Sequence, residues 1–347
     1  MLTYWILFLV PVYFLFGKVG GGENSSQLEW RSFGLFLIVL IGLRDYVGGD
    51  WVTYLAGLDI ETTRQWSELS SSKDLGFTLI SWISLSLGLS LYGVNLICAI
   101  IFTGGLINLS RAQPYPWLSI LVAVPYLIIV VAMGYTRQAA AIGFLMYGFG
   151  SITRGRVLQF LLLVFLAGMI HKTAFIFSAL ALCRPGGGKL KSALGIVVLI
   201  SLSGAAYLIE QADTLILNYV ENTMESSGGQ IRVLMNLPPA LILLAYWNKY
   251  RQKFDDLWLW GIIALIAVAC VPLVTMASTA IDRMALYLIP LQLVVWARFP
   301  TLVQGQISRK ATFLMITFYY ALVQFTWLVY GNHSSAWVPY QNLLFNL

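Results

Sequence analysis

The sequence predicts an all-α integral membrane protein that crosses the bilayer many times. Of its 347 residues, 59% are hydrophobic and only 10% are charged, and apolar runs recur along the whole chain. Backbone groups in lipid must form their hydrogen bonds within the protein, which restricts spanning elements to helices and closed barrels. The runs lack the alternation of apolar and polar residues that barrel strands show. Helices are therefore the expected spanning elements.

The apolar runs give the candidate spans in chain order. They cover roughly residues 2–16, 32–43, 75–91, 93–109, 117–133, 138–152, 157–170, 173–183, 192–209, 233–247, 257–277, 284–296 and 311–330. Because a crossing takes about 20 residues, runs 32–43 and 173–183 need flanking residues or enter only part way. Run 2–16 has no basic segment before it and no small-residue cleavage site after it, so we expect an uncleaved helix. We expect roughly 10–13 crossings in a single membrane domain over residues 1–347.

The cysteines and the net charge argue against two classes of site. Cys98, Cys183 and Cys270 lie in or at the end of apolar runs without a CxxC spacing, which predicts neither a disulfide framework nor a zinc site. The formal net charge is +6, but the basic residues are scattered among loops. Membrane orientation explains them better than nucleic acid does, and we expect no nucleic-acid partner.

Basic residues alternate between successive loops from Arg111 onward, which predicts the sidedness of the chain. One set of loops carries Arg111, then Arg154 and Arg156, then Arg184, Lys189 and Lys191, then Lys249, Arg251 and Lys253, then Arg298, Arg309 and Lys310. By the positive-inside rule these loops are cytoplasmic. The other set contains the Arg137 turn, the His171 turn, the stretch 210–232, the Arg283 turn and the tail after Tyr330. Arg137, His171 and Arg283 are therefore expected on one external face.

The side of the loop over residues 44–74 follows less directly. Counting back from Arg111 through two crossings puts this loop inside, whereas Lys18 and Arg31 in the first loop put it outside. A re-entrant segment between Arg44 and Arg111 removes the conflict, because irregular backbone is tolerated where it lines a cavity. We favour an external 44–74 loop.

Five ionisable residues lie beside apolar runs, namely Arg44, Asp50, Arg137, His171 and Arg283. An ion in or near hydrocarbon is costly, and such residues usually face a shared cavity and have a function. Simpler roles stay open. The arginines can extend to lipid headgroups, and Arg283 can pair with its neighbour Asp282. His171 can be an ordinary helix-terminal residue, and Asp50 can cap a helix that begins at Trp51.

Several short motifs occur in a characteristic order along the chain. The stretch RDYVGGDWVTY, from Arg44 to Tyr54, resembles the R-x3-G-x-D-x3-Y signature of EpsG-type proteins, a branch of the Wzy-like exopolysaccharide and O-antigen polymerases. Further similar motifs are Gly76-Phe77 after an acidic residue, TRQAAA from Thr136, IHKTAFIF from Ile170, Arg283 followed by Tyr287, and VPYQNLL from Val338. The resemblance covers nearly the whole chain. It departs from the family pattern at Gly49, where Thr or Ser is common, and at Lys172, where Ser is usual.

This resemblance implies a fold, an activity and partners. The fold is a GT-C-like helical bundle, and the activity is glycosyl transfer at the outer, periplasmic face of the bacterial inner membrane. The implied donor is a glycan on undecaprenyl pyrophosphate, and the implied acceptor is another lipid-linked repeat unit. Further implied partners are membrane lipids and a chain-length regulator and a flippase of the same pathway. No metal or other cofactor is expected, and the sequence has no GxGxxG after a strand and no DxD pair.

The charges have roles in the implied reaction. A pyrophosphate leaving group gains negative charge as the glycosidic bond breaks, and fixed guanidinium groups stabilise that charge. Arg137, Arg283 and Arg44 are candidates for this clamp, because arginine binds phosphate at two points and stays protonated. His171 and Asp50 are candidates for the base that takes the proton of the acceptor hydroxyl, with His171 favoured. The candidates for binding or stacking on sugars are Tyr54, Gln138 and Tyr287.

Two other classes of function compete with a polymerase. A membrane O-acyltransferase would use His171 to activate a sugar hydroxyl toward a cytoplasmic acyl donor, and it leaves the external arginines without a role. A transporter or flippase for lipid-linked sugars would use the arginines as its substrate site. Paired halves with internal repeats are typical of transporters, and the sequence shows no such repeat.

Overall fold

The computed structural model describes residues 1–17, 25–62, 74–185, 228–275 and 278–344. Within these ranges the chain is helical and contains no strand, which confirms the predicted all-α fold. The predicted span 192–209, and the predicted loop 210–232 up to residue 227, lie outside the described residues.

The first half of the chain forms eight α-helices. They are α1 Leu2–Gly17, α2 Gln27–Gly42, α3 Trp51–Thr62, α4 Leu75–Ser86, α5 Ser90–Arg111, α6 Pro116–Ala123, which continues as a π-helix over Val124–Ala132, α7 Thr136–Thr153 and α8 Val157–Ile170. The second half follows with a 3-10 helix Lys172–Ala181, α9 Gly229–Leu234, α10 Leu237–Ala245, α11 Trp247–Arg251, α12 Leu257–Leu273, α13 Ser278–Leu288, α14 Pro290–Arg298 and α15 Gln306–Tyr330. Short 3-10 turns cover Phe299–Leu302 and Ser334–Ala336.

Local sequence signals explain where several helices begin. Ser26 and Glu29 form a capping box at the start of α2, in which each side chain accepts a hydrogen bond from the other residue's backbone. Pro116 and Pro290 occupy the first positions of α6 and α14, where the missing backbone N–H has no helical partner to lose. These boundaries were predicted only to within a few residues by the apolar runs.

The chain has helices that fit a membrane by length and composition. Three of them are long and apolar enough to cross, Ser90–Arg111, Ala280–Leu302 and Ile307–Tyr330, and seven shorter apolar helices accompany them in the described ranges. The protein is therefore a helical membrane protein, as predicted. The predicted 10–13 crossings stay a prediction.

Ion pairs and hydrogen bonds bring distant turns together at one end of the bundle. Arg44 donates to Thr136, Arg137 pairs with Asp74, and Gln138 donates to the backbone of Arg283. We call this end, which contains Arg44, Asp50, Arg137, His171 and Arg283, the site end. The turns predicted to share one face therefore lie together.

The basic loops gather at the other end, which we call the opposite end. Arg298 pairs with Asp256 and donates to Gln113, and the Lys253 ammonium donates to the carbonyl of Thr301. The guanidinium of Arg111, at the end of α5, lies 5.9 Å from the ring of Trp30, near the start of α2. This grouping is the one that the alternation of basic loops predicts, whereas its cytoplasmic orientation stays a prediction.

The predicted span 75–91 is wrong, because this segment begins and ends at the site end. Asp74, just before α4, pairs with Arg137, whereas Tyr92, in the first turn of α5, donates to Asp45. Helix α4 has 12 residues and is about 18 Å long, which is short of the ~30 Å hydrocarbon core. Among the described residues between Arg44 and Arg111, α5 is therefore the one helix that leads from the site end to the opposite end. This resolves the conflict between the two counts for loop 44–74, which also contains helix α3.

Close packing of α5 against α7 fixes the position of the site along the helix axes. A Cβ atom on Gly105 would lie 2.1 Å from the carbonyl oxygen of Gly143, and one on Gly143 would lie 2.7 Å from that of Ile101. Small residues let helix backbones approach closely in membranes, where hydrophobic burial does not drive association. These glycines therefore hold the first turn of α7, with Arg137, beside the first turns of α5.

Candidate functional site

Arg44 is buried within the protein and does not face a cavity. Its side chain is 2% exposed, and its guanidinium donates to the carbonyls of Val47, at 3.1 Å, and Ile41. The same group donates to Asn95 Oδ1 at 3.0 Å and to Thr136 Oγ1 at 2.7 Å. With its donors engaged by protein groups, Arg44 cannot bind a substrate phosphate as predicted. It ties the end of α2 to α5 and α7 instead.

The conformation of the loop after Arg44 depends on a glycine and on contacts with the C-terminal tail. Gly48 has φ +107°, and a Cβ atom there would lie 2.0 Å from the carbonyl oxygen of Met133, so only glycine fits. The tail pairs with the same loop through an antiparallel bridge between Arg44 and Asn342. Trp337 anchors the tail by donating from Nε1 to the carbonyl of Ile129, at 2.7 Å. The first and last sequence motifs thus form one unit.

The side chain of Arg137 lies between two aromatic rings. Its guanidinium carbon is 5.4 Å from the ring centroid of Tyr54 and 5.3 Å from that of Phe77. Its Nη1 atom donates to Asp74 Oδ2 at 3.0 Å, and its side chain stays 39% exposed. Cation–π contacts and one ion pair orient the group while leaving part of it open to solvent. Tyr54, predicted to bind sugar, supports Arg137 instead.

Asp74 is a site residue whose role the sequence analysis missed. It precedes α4, whose second residue, Gly76, packs directly on the end of α8. A Cβ atom on Gly76 would lie 2.9 Å from Met169 Cβ and 3.0 Å from its carbonyl oxygen. This close approach places Asp74 beside Arg137 and near Lys172. The sequence signal for Asp74 was its place as the acidic residue before Gly76-Phe77, but only the fold shows that its partner is Arg137.

His171 is oriented through one ring nitrogen. Its Nδ1 atom lies 2.7 Å from Thr173 Oγ1 and 3.0 Å from the Tyr287 hydroxyl, and these two hydroxyls are 3.0 Å apart. Tyr287 is buried, so it positions the imidazole and is not exposed to a sugar as predicted. The ring is held by Nδ1, while Nε2 has no hydrogen bond within the described part of the chain.

Arg283 presents an exposed guanidinium on α13. The side chain of Gln138 is buried and donates from Nε2 to the Arg283 carbonyl at 2.6 Å, which fixes the backbone below the charge. Gln138, predicted to bind sugar, therefore positions Arg283. The suggested local pair with Asp282 does not form, because the Asp282 carboxylate accepts hydrogen bonds from Nε and Nη2 of Arg232. Among the residues described, Arg283 has no ion-pair partner.

The charges at the site end act on one another. Burial raises the pKa of Asp50, and the nearby charges of Arg137 and Arg283 oppose this shift. Burial, together with the nearby charges of Arg137 and Arg283, which disfavour a third cation, lowers the pKa of His171 to about 4. Arg137 and Arg283 therefore lie close enough to act electrostatically on both Asp50 and His171. At neutral pH, His171 is neutral and able to accept a proton.

A cavity of about 200 Å³ includes Tyr135, the residue two positions before Arg137, in its lining. Its lining is aromatic and polar and includes Tyr135, Arg232, Trp327, Tyr330 and Trp337. The hydroxyl of Tyr135 is within electrostatic range of Arg232, in the cavity lining, and of Asp50, at the charged site. Flat aromatic rings beside fixed polar groups suit the apolar faces and hydroxyls of a sugar.

Comparison with known proteins gives one match. A family model described as the EpsG family matches residues 29–342, which is nearly the whole chain. The match includes Arg44, Arg137, His171 and Arg283. No curated protein and no solved structure matches the chain.

Proposed function

The chain belongs to the EpsG family, a Wzy-like polymerase family, and from this premise we propose that it is a glycosyltransferase that polymerises a polysaccharide. Its substrates would be oligosaccharide repeat units on undecaprenyl pyrophosphate, joined at the periplasmic face of the bacterial inner membrane. The convergence of Arg137, His171 and Arg283 at one end of the bundle carries this proposal. These residues come from three turns that are far apart in sequence.

The proposed clamp consists of Arg137 and Arg283. When the acceptor hydroxyl attacks the anomeric carbon of the donor, the bond from that carbon to the pyrophosphate oxygen breaks and the pyrophosphate leaves with its electron pair. The two guanidinium groups would stabilise the negative charge that develops on this leaving group. Arg137 is fixed by Asp74, Tyr54 and Phe77, so its charge needs no reorganisation during the reaction. In this proposal the arginines supply the positive charge, and no metal is needed.

The proton of the acceptor hydroxyl passes to His171 or Asp50, and His171 is the favoured base. If Nδ1–H donates to Thr173 Oγ1, the lone pair on Nε2 is free to accept this proton. Burial and the two arginines keep the imidazole neutral before the reaction. Asp50 faces the same arginines, and its carboxylate balances their charge while the site is empty.

The aromatic cavity beside Tyr135 suits the terminal sugar of the acceptor. Its volume of about 200 Å³ fits one sugar ring, and Tyr135 in its lining is within electrostatic range of Asp50 and Arg283. A sugar stacked there would present a hydroxyl toward His171. The remaining repeat units would extend away from the bundle, together with the partners expected for this pathway, a chain-length regulator and a flippase.

Reconstitution tests the proposed reaction. Full-length protein in liposomes is mixed with lipid-linked repeat units extracted from the source organism, without nucleotide sugars or acyl-CoA and with EDTA present. We expect a ladder of longer glycans and release of undecaprenyl pyrophosphate. An O-acyltransferase would need an acyl donor, and a flippase would move the lipid without lengthening it. Absence of a ladder with authentic substrate would contradict the proposal.

A further inference from the structure

A groove lies on the outside of α2, α5 and α7 at the opposite end of the bundle. Its volume is about 740 Å³. Along α5 its lining extends from Ile100 to Arg111, a distance of about 16 Å at 1.5 Å per residue. The groove is therefore long enough for part of a hydrocarbon chain, and it is separate from the site around Arg137.

One end of the groove is strongly basic. Arg31, Arg111 and Arg154 line it, each from a different helix or helix end, and all three are exposed. The guanidinium of Arg111 lies 5.9 Å from the ring of Trp30, which helps to orient it. The lining contains no acidic side chain, and none of the three arginines makes an ion pair within the described ranges. Three uncompensated positive charges at one place favour an anionic ligand.

The other end of the groove is apolar. Leu35, on α2, is 63% exposed and Ile100, on α5, is 51% exposed, and Ile38 and Ile107 also line the groove. In a membrane protein these side chains face acyl chains. The groove is therefore amphipathic along its length, as a phospholipid is.

We propose that this groove binds one anionic membrane phospholipid. Its phosphate would lie among Arg31, Arg111 and Arg154, and an acyl chain would follow Leu35 and Ile100. Guanidinium groups bind phosphate with two parallel hydrogen bonds, and basic pockets between membrane helices bind acidic headgroups. A polyprenyl phosphate has the same phosphate chemistry, but the clamp for such a lipid lies at the site end, across the length of α5.

Lipid binding to the full-length purified protein tests this inference. Dioleoylphosphatidylglycerol or dioleoylphosphatidylcholine is added in detergent, and bound lipid is counted by native mass spectrometry while the melting temperature is recorded. We expect one phosphatidylglycerol per protein, a raised melting temperature, and binding at least tenfold weaker for phosphatidylcholine. Inorganic phosphate should not compete, because it lacks the chain. Equal binding of the two lipids would overturn the proposal.

Matched variants localise the site and separate it from the carrier lipid. The triple change R31Q, R111Q and R154Q should weaken phosphatidylglycerol binding at least tenfold, whereas R156Q, R309Q and K310Q, which remove the same charge, should not. Leu35→Trp should weaken binding by blocking the chain without changing the charge, even if the triple variant fails to fold. Equal losses in both triple variants, or displacement of the lipid by equimolar undecaprenyl phosphate, would contradict the proposal.

Discussion

Arg44 donates a 2.7 Å hydrogen bond to Thr136, a residue 92 positions away in the sequence. Thr136 immediately precedes Arg137, so this bond fixes the position of Arg137 in the proposed clamp relative to the loop that contains Asp50. The arginine of the most recognisable motif is therefore a positioning residue. The groups left open to a substrate are Arg137 and Arg283.

Arg44→Lys should destabilise the protein. Lysine has a single ammonium and cannot reach Asn95, Thr136 and the two backbone carbonyls together, so it leaves buried acceptors unpaired. Each hydrogen bond to a charged group contributes about 1.5–3 kcal/mol, and we expect a loss of about 2–3 kcal/mol. The melting temperature in detergent measures this loss, with the exposed Arg309→Lys as control. Equal melting temperatures for the two variants would refute the structural role of Arg44.

Gly76→Ala should lower both stability and polymerisation. The new Cβ atom would lie 2.9 Å from Met169 Cβ and 3.0 Å from Met169 backbone atoms, so α4 must move away from α8 and carry Asp74 with it. Gly57→Ala is the matched control, because nothing lies within 4 Å of its added carbon. The melting temperature and the initial rate of glycan growth are measured for both variants. A Gly76→Ala protein as active as Gly57→Ala would show that the contact between α4 and α8 does not position Asp74.

Thr173→Val should slow the reaction without weakening donor binding. The change removes the hydroxyl 2.7 Å from His171 Nδ1, so the imidazole loses the partner that sets its tautomer. We expect kcat to fall about tenfold or more, with little change in KM for the lipid-linked substrate. Thr153→Val, at the far end of α7, serves as a control. A change confined to KM would assign Thr173 to binding instead.

The pH profile should show an acid limit well below that of an ordinary histidine. Burial and two arginines lower the pKa of His171 to about 4 from 6.5, so lowering the pH from 8 to about 6 leaves the base unprotonated. The kcat/KM value reports groups of the free enzyme, and it should therefore fall only as the pH approaches about 4. A half-maximal value near pH 6.5 would show that His171 is not held in this environment. The activity that remains in His171→Ala should no longer show this fall of kcat/KM near pH 4.

The sequence predicted the grouping of the site better than the role of each residue. Alternating basic loops placed Arg137, His171 and Arg283 together, because loop charge and helix count depend only on chain order. Arg44 was assigned to substrate binding because the sequence cannot distinguish an arginine that faces a cavity from one that donates to four buried acceptors. Gln138 and Tyr287 were candidates for sugar binding because they lie in the motifs of the family resemblance, and the structure shows each in contact with a neighbouring site residue.

The fold of the 75–91 segment could not be predicted from its composition. Its apolar length suits a crossing, and only the contacts of Asp74 with Arg137 and of Tyr92 with Asp45 show that both ends lie together. Asp74 was missed because its partner is 63 residues away. Long-range pairs of this kind depend on packing, such as the contact of Gly76 with Met169, which leaves no local periodic signal.

Glycan growth by an Arg283→Ala variant tests the central claim most directly. Arg283 is exposed at the site end and has no ion-pair partner within the described residues, so its loss should not disturb the fold. Wild-type protein, Arg283→Ala and the control Arg309→Ala are reconstituted with lipid-linked repeat units, and the initial rate of ladder formation is measured. We predict that Arg283→Ala loses about 100-fold or more in rate with an unchanged melting temperature, while Arg309→Ala retains the wild-type rate. A folded Arg283→Ala protein that extends glycans at the wild-type rate would contradict the proposed pyrophosphate clamp.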